Sequence, residues 1–172
     1  MRLLAIAAAG ALSLVFAATA SAGPVMVRPM TVDAELQKKF DDDYGAREIA
    51  ELRDALNRAV AQELGKAGAT LGTEGGVILE TTLVDAKPTR PTIRQTQKRP
   101  GLDMMRSVSL GGAELRARFL APDGRVLNEV SYDWYEWDLN NSVAATTWTD
   151  ARRAIRLFAN QVGKAYSAQP QG

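Results

Sequence analysis

The chemistry open to this chain is limited first by two residue types that it lacks. Among its 172 residues there is no cysteine and no histidine. A Ser-His-Asp or Cys-His catalytic arrangement therefore cannot form, and neither can a histidine- or thiolate-ligated zinc, copper or haem site. Acid–base chemistry at neutral pH would fall to carboxylates, lysine or tyrosine with shifted pKa values. We therefore expect a protein that is not an enzyme and that holds no cofactor and no metal.

Carboxylates beside tryptophans could still support catalysis on sugars. Asp133, Glu136 and Asp138 surround Trp134 and Trp137 in the sequence. On a strand, Glu136 and Asp138 would share one face, roughly 6.5–7 Å apart along the backbone. That spacing is compatible with the acid and the nucleophile or base of a glycosidase. Any solvated strand face produces the same spacing, so a carboxylate-based glycoside or cell-wall hydrolase is kept as an alternative function.

Three consecutive acids, Asp41, Asp42 and Asp43, suggest a calcium loop at first sight. The EF-hand spacing is absent, because no glycine follows at the sixth loop position and no glutamate at the twelfth. Asp42 or Asp43 is better interpreted as the N-cap of the helix that follows, where a carboxylate also complements the helix dipole.

Residues 87–106 form an unusually basic segment. Six cationic side chains stand there against one acid, Asp103, and the cations are Lys87, Arg90, Arg94, Lys98, Arg99 and Arg106. A loop of this length inside a small domain is typically functional or disordered. It could grip an anionic ligand or partner, through Arg90, Arg94, Lys98, Arg99 and Arg106. The alternative is a solvated loop or a hairpin extension. Stacking on nucleic-acid bases is not expected, since the segment has no aromatic residue.

Tyr135 and Trp137 are the second pair of candidate contact residues. Even-numbered positions from Val126 to Trp134 are expected to face the core, so the odd positions should face outward. An exposed Tyr-Trp pair flanked by carboxylates suits carbohydrate stacking or a partner interface. The alternative is a bulged strand end tucked beneath the C-terminal helix.

The elements that must position these residues follow from hydrophobic periodicity. A helix is predicted over residues 46–66, and a second one after a capping-box spacing at residues 147–150. Strands are predicted over residues 25–32, interrupted by Pro29, and over 77–84. Residues 113–119 and 125–138 are predicted to form a hairpin around Ala121-Pro122-Asp123-Gly124. The pattern predicts an α+β two-layer sandwich, with an antiparallel or mixed sheet of about four strands and two amphipathic helices on one face.

The N-terminus predicts export. Residues 1–22 have the charged start, the apolar stretch and the small-x-small site of a cleavable signal peptide. The mature chain, residues 23–172, is then expected to be a single α+β domain, periplasmic or secreted. It should not span a membrane after cleavage. With 21 Lys and Arg against 20 Asp and Glu, the chain has no overall basic field to recruit nucleic acid or an anionic membrane. Its charges are unevenly placed, however, and nucleic acid is not expected as a partner.

Four short strings, together with this layout, resemble uncharacterised exported α/β envelope proteins of Gram-negative bacteria. The strings are Arg90-Pro91-Thr92, Pro100-Gly101-Leu102-Asp103, Ser109-Leu110-Gly111-Gly112-Ala113 and Trp148-Thr149-Asp150-Ala151. That group is similar to periplasmic accessory subunits of lipid and lipopolysaccharide transport. The resemblance implies a periplasmic, non-catalytic accessory or binding protein whose partner is an envelope protein or an anionic glycolipid or phospholipid. A structural, self-assembling envelope protein is a further alternative.

Overall fold

The computed structural model describes residues 24–168 except residues 75 and 143. The predicted signal peptide, residues 1–22, lies outside the described residues. The strands are β1 (Met26–Val27), β2 (Thr31–Val32), β3 (Ile78–Lys87), β4 (Gly112–Leu120) and β5 (Val126–Tyr135). The helices are α1 (Ala34–Lys39), α2 (Ala46–Lys66), α3 (Ile93–Lys98) and α4 (Thr149–Ser167), with a π-helical turn at Phe40–Tyr44 and a 3-10 turn at Leu139–Ser142.

The five strands form one mixed sheet with β3 in its interior. β4 pairs antiparallel with β3 and with β5, so β5 lies at one edge of the sheet. β1 and β2 both pair parallel with β3 at the other edge. Pro29 falls between them. Because proline has no N–H to donate to a neighbouring strand, it divides the predicted first strand into these two short pieces. The predicted α+β class is confirmed, with five strands where about four were predicted.

The two long helices cover one face of this sheet. The predicted helix over residues 46–66 is confirmed residue for residue as α2, whose Ile49, Leu52, Leu56, Val60 and Leu64 are buried. The predicted apolar stripe of α4 is likewise buried, from Trp148 to Tyr166. These side chains share one core with the inward residues of β4, which are Ala113, Leu115, Ala117 and Phe119. No helix in the described part of the chain is both long and apolar enough to cross a membrane.

The opposite face of the sheet is open and polar. Arg118 on β4 stands in register with Glu80 on β3 and with Glu129 on β5. Arg28 extends this row through an ion pair of 2.5 Å with Glu80, and Arg118 lies 3.3 Å from Glu129. Opposite charges in neighbouring positions stabilise a solvated sheet face modestly. A shallow cavity of about 710 Å³ lies over this row and the hydroxyls of Thr31 and Ser131.

Two predicted helix caps are wrong. No side chain caps α2, which begins after Gly45, while Asp33 caps α1 by accepting from the Glu35 N–H at 2.9 Å. The carboxylate of Asp43 is engaged elsewhere, as described below. The predicted capping box at the start of α4 is also absent, because Asp150 points into a buried hydrogen-bond network rather than back along its own helix.

Candidate functional site

The basic segment is ordered by its own short helix. A capping box opens α3: the Thr92 hydroxyl accepts from the Gln95 N–H at 3.2 Å, and the Gln95 side chain accepts from the Thr92 N–H at 3.0 Å. This reciprocal pair satisfies two backbone donors that a helix start otherwise leaves unpaired. The segment is therefore a built structure between β3 and β4. It connects the antiparallel pair β3 and β4, and its exposed residues are solvated, but α3 gives it a defined structure.

Arg90 ties this segment to the loop before α4. Its partly buried guanidinium donates to the carbonyl oxygens of Met105 at 2.5 Å, Ala145 at 2.5 Å and Ser142 at 3.4 Å. The planar, five-donor geometry of arginine is suited to joining several acceptors at once. Arg90, predicted as a ligand-binding residue, thus lies where it fixes the positions of two loops.

Cations within α3 and directly after it meet the π-helical turn Phe40–Tyr44, here called the acidic turn because it contains Asp41, Asp42 and Asp43. Arg99 forms an ion pair of 2.7 Å with Asp43, whose second oxygen accepts from the Gln95 side chain at 2.7 Å. Arg94 donates to the Asp42 carbonyl oxygen at 3.3 Å, and Lys98 donates to the same oxygen. The two oppositely charged segments therefore dock on each other. Arg94, Lys98 and Arg99 are exposed but already have contacts within the chain.

An aromatic cluster holds the acidic turn in place for this docking. Phe40 and Tyr44, at the two ends of the turn, lie 5.9 and 5.8 Å from Trp148 between ring centroids. The indole N–H of Trp148 donates to Glu48 at 2.5 Å, so the ring is both buried and hydrogen-bonded. Edge-on packing of aromatic rings adds to the burial of their apolar surface. The turn is thereby fixed to the start of α4.

Arg106 stands at the exposed tip of the basic segment. Within the described residues it forms no side-chain hydrogen bond or ion pair. The tip itself is built by Asp103, one oxygen of which accepts from the N–H groups of Met105 at 2.7 Å and Arg106 at 2.8 Å. The hydrogen bonds from Arg106 and Met105 lower the pKa of Asp103. Among the five predicted basic contact residues, Arg106 is the one most available to an external anion.

Tyr135 is partly buried rather than exposed. It faces the open side of the sheet, as predicted, but its ring crosses β4 at Gly112 and its hydroxyl donates to Asp85 at 2.9 Å. Asp85 also forms an ion pair of 2.7 Å with Lys39. Burial, followed by the hydrogen bond to Asp85, raises the pKa of Tyr135 well above its ordinary value. The Tyr135 hydroxyl therefore already has a hydrogen-bond partner within the protein.

Trp137 is strongly exposed, with 74% of its surface accessible. It lies beyond the end of β5 and contacts Trp134 edge-on, at 6.3 Å between ring centroids. Trp134 packs against the core on the helix side of the sheet, and the Arg153 guanidinium lies over its ring at 4.6 Å. Tyr135 and Trp137 therefore do not form the predicted exposed pair, because the strand ends between them.

The two carboxylates considered for sugar hydrolysis build the turn after β5. Glu136 is almost completely buried and accepts from the N–H groups of Trp137 at 2.9 Å and Asp138 at 3.2 Å. Its burial acts to raise the pKa, but hydrogen bonds from Asn141 and from these N–H groups lower it overall. Asp138 accepts from Asn140 in the same turn. A general acid needs the opposite, a raised pKa and access to a substrate.

A buried polar network that the sequence did not reveal joins the segments around the site. The Asp150 carboxylate accepts from the Thr89 hydroxyl at 2.8 Å and from the Gly111 N–H at 3.2 Å. A β-carbon at Gly111 would lie 2.5 Å from the Thr89 hydroxyl, so the network requires glycine there. Three of the strings quoted above, around residues 90, 111 and 150, thus meet in space at the end of the sheet that carries the basic segment.

Comparison with known proteins places the chain in no family. No family model matches it, and no curated protein matches it. Among solved structures, a PelC variant from Paraburkholderia phytofirmans, solved as a dodecamer, is similar over 81% of this chain and 86% of that chain. The TM-score is 0.47 and the sequence identity is 8%. The predicted relationship to exported envelope proteins stays a prediction.

Proposed function

We propose that this chain is an exported, non-catalytic binding protein of the cell envelope, which acts by contact with an anionic partner through the basic segment 87–106. Export is expected from the signal-peptide pattern of residues 1–22. Binding is favoured over catalysis because the chain has no histidine or cysteine. In addition, Glu136, a candidate catalytic carboxylate, is buried and accepts hydrogen bonds within its own turn.

One observation carries the proposal: the basic segment is held rigid and still presents a cation at its tip. Arg90 ties the segment to the loop before α4 and to the Met105 carbonyl oxygen, and the capping box fixes the start of α3. Arg106 then projects from a turn that Asp103 closes, without a side-chain partner in the described residues. Preorganised groups bind with a smaller loss of conformational entropy than groups on a flexible loop. A merely solvated connection would need no such construction.

In-cell photo-crosslinking tests the proposal directly. A photo-reactive amino acid replaces Arg106 in one strain, and in a second strain it replaces Arg125, an exposed cation in the turn between β4 and β5. We expect discrete protein or lipid adducts from position 106 and only background from position 125, read by mass spectrometry. Adducts that are equal at both positions, or absent at position 106, would contradict binding through the basic segment.

A further inference from the structure

Large apolar side chains are exposed together at the end of the molecule that carries the basic segment. Met104, Met105 and Val108 lie in one loop, and Trp137 and Leu139 lie in the loop after β5; these five residues are called the apical patch. Met105 is 80% exposed and Trp137 is 74% exposed. Several large apolar side chains exposed on two neighbouring loops are unusual for a surface that faces only water, so they indicate a site of interaction.

The two loops are held side by side in this exposed form. Arg90 donates to the Met105 carbonyl oxygen from one loop and to the Ser142 carbonyl oxygen from the other. The Asp103 carboxylate closes the turn that presents Met105, and the Glu136 carboxylate closes the turn that presents Trp137. Each apolar tip is thus fixed in water by a polar side chain beneath it. In flexible loops, these side chains could instead fold back onto the protein, which would reduce the unfavourable free energy of exposing apolar surface to water.

One cation borders the patch: Arg106 follows Met105 directly. Arg153 lies over Trp134, the ring that Trp137 contacts, but it already forms an ion pair of 3.7 Å with the buried Glu136 carboxylate. The acids of the two tips, Asp103, Glu136 and Asp138, accept backbone N–H groups of their own turns. Tryptophan and aliphatic side chains bordered by arginine are the combination that binds the interface of an anionic lipid bilayer, with the rings at headgroup depth and the cations at the phosphates.

We propose that the apical patch inserts into the surface of an anionic phospholipid bilayer, with Met105 and Trp137 as the inserted side chains and Arg106 at the phosphates. This inference rests on the proposed function and names the anionic partner. A lipid surface fits better than a protein groove because the apolar side chains stand on two separate loop tips. Protein interfaces pack a shape-complementary core, whereas an acyl-chain boundary adapts to separate protruding side chains.

Vesicle co-sedimentation of the mature chain, residues 23–172, tests this inference. The probes are vesicles of phosphatidylcholine with phosphatidylglycerol and vesicles of phosphatidylcholine alone. The combined variant Met105→Ser with Trp137→Ser removes the two most exposed side chains of the patch. Leu127→Ser is the matched control, because Leu127 is 41% exposed near the start of β5, at the other end of that strand.

We expect the unaltered chain to bind the anionic vesicles. The combined variant should bind about tenfold or more weakly, because it loses the free energy gained by burying two large apolar side chains in the bilayer. Leu127→Ser should bind like the unaltered chain. Quenching of tryptophan fluorescence by brominated lipid should occur in the unaltered chain and disappear in Trp137→Phe. Absence of vesicle binding, or equal binding by the combined variant, would overturn the inference.

The result also separates this inference from the proposed function. Adducts at position 106 in cells, without vesicle binding by the purified chain, would support binding to an anionic partner and contradict insertion into a bilayer. If Arg106→Gln weakens vesicle binding but the combined variant does not, the contact is with headgroups alone and insertion is excluded. If neither vesicle binding nor adducts at position 106 are found, the inference and the proposed function both fail.

Discussion

The hydroxyl of Tyr135 lies 2.9 Å from a carboxylate oxygen of Asp85, although β4 separates their two strands. The contact depends on Gly112, which stands opposite Tyr135 on β4 and has no side chain to occupy the path of the ring. An aromatic residue lying across a strand glycine restores packing that the glycine would otherwise leave empty. A residue predicted to meet an external ligand therefore completes the open face of the sheet.

Tyr135→Phe should lower the free energy of unfolding by about 1 kcal/mol, since one partly exposed hydrogen bond to a carboxylate is lost. The folded-state pKa of Tyr135 is raised, mainly by burial. Its stabilising contribution is therefore complete below the ordinary tyrosine pKa of about 10 and falls as the pH rises beyond it. Urea unfolding at pH 8 and above pH 10 should show the difference between parent and variant shrinking at high pH. Tyr132→Phe serves as the control, and a difference that does not change with pH would contradict the assignment.

Gly112→Ala should be clearly destabilising. A β-carbon there would lie 2.3 Å from the Trp134 carbonyl oxygen and 2.6 Å from the Tyr135 Cα, and neither backbone atom can move aside cheaply. Overpacking of this kind typically costs about 1–3 kcal/mol. The matched change is Gly65→Ala within α2, where nothing lies within 4 Å of the added carbon. It should stabilise by roughly 0.5–1 kcal/mol. Thermal unfolding that shows the same sign for both variants would contradict the crowding at Gly112.

Much of the fold could be predicted because its apolar periodicities are unambiguous. The pattern of α2 runs without interruption to the glycines near residue 66, and the alternation from Ala113 to Phe119 allows only one buried face. Proline at position 29 predicted an interruption of the first strand, and Pro29 does separate β1 from β2. These signals are local, so tertiary contacts were not needed to interpret them.

The site could not be predicted in the same way, because its contacts join residues far apart in the sequence. Asp43 and Arg99 are separated by 56 positions, and Thr89 and Asp150 by 61. A carboxylate near a helix start is a capping candidate in sequence, yet both candidates here bind partners outside their own helix. One signal was available: an acidic triplet and a basic segment in one small domain are electrostatically complementary and could have been paired with each other.

Asp150→Ala tests whether the buried network supports the end of the sheet that carries the site. The change leaves the Thr89 hydroxyl and the Gly111 N–H without their acceptor. Buried donors left unpaired cost about 1–3 kcal/mol each. We expect a loss of about 2 kcal/mol or more in urea unfolding, and faster amide exchange at Gly111. Asp54→Ala, at an exposed position of α2, should change little. Equal effects of the two variants would mean that the network contributes nothing specific.

Glu136→Gln distinguishes a turn-building carboxylate from a catalytic one. The folded-state pKa of Glu136 is lowered overall, since its hydrogen bonds outweigh its burial. Its stabilising contribution is therefore complete above the ordinary glutamate pKa of about 4.3 and is lost as the pH falls through the lower folded value. The variant should be less stable than the parent at pH 7, and the difference should narrow below about pH 4.3. Glu129→Gln, on the open face, serves as the matched control substitution. A catalytic acid would behave oppositely: its raised pKa would make the parent lose stability as the pH rises, and replacement by glutamine would then stabilise the fold at pH 7.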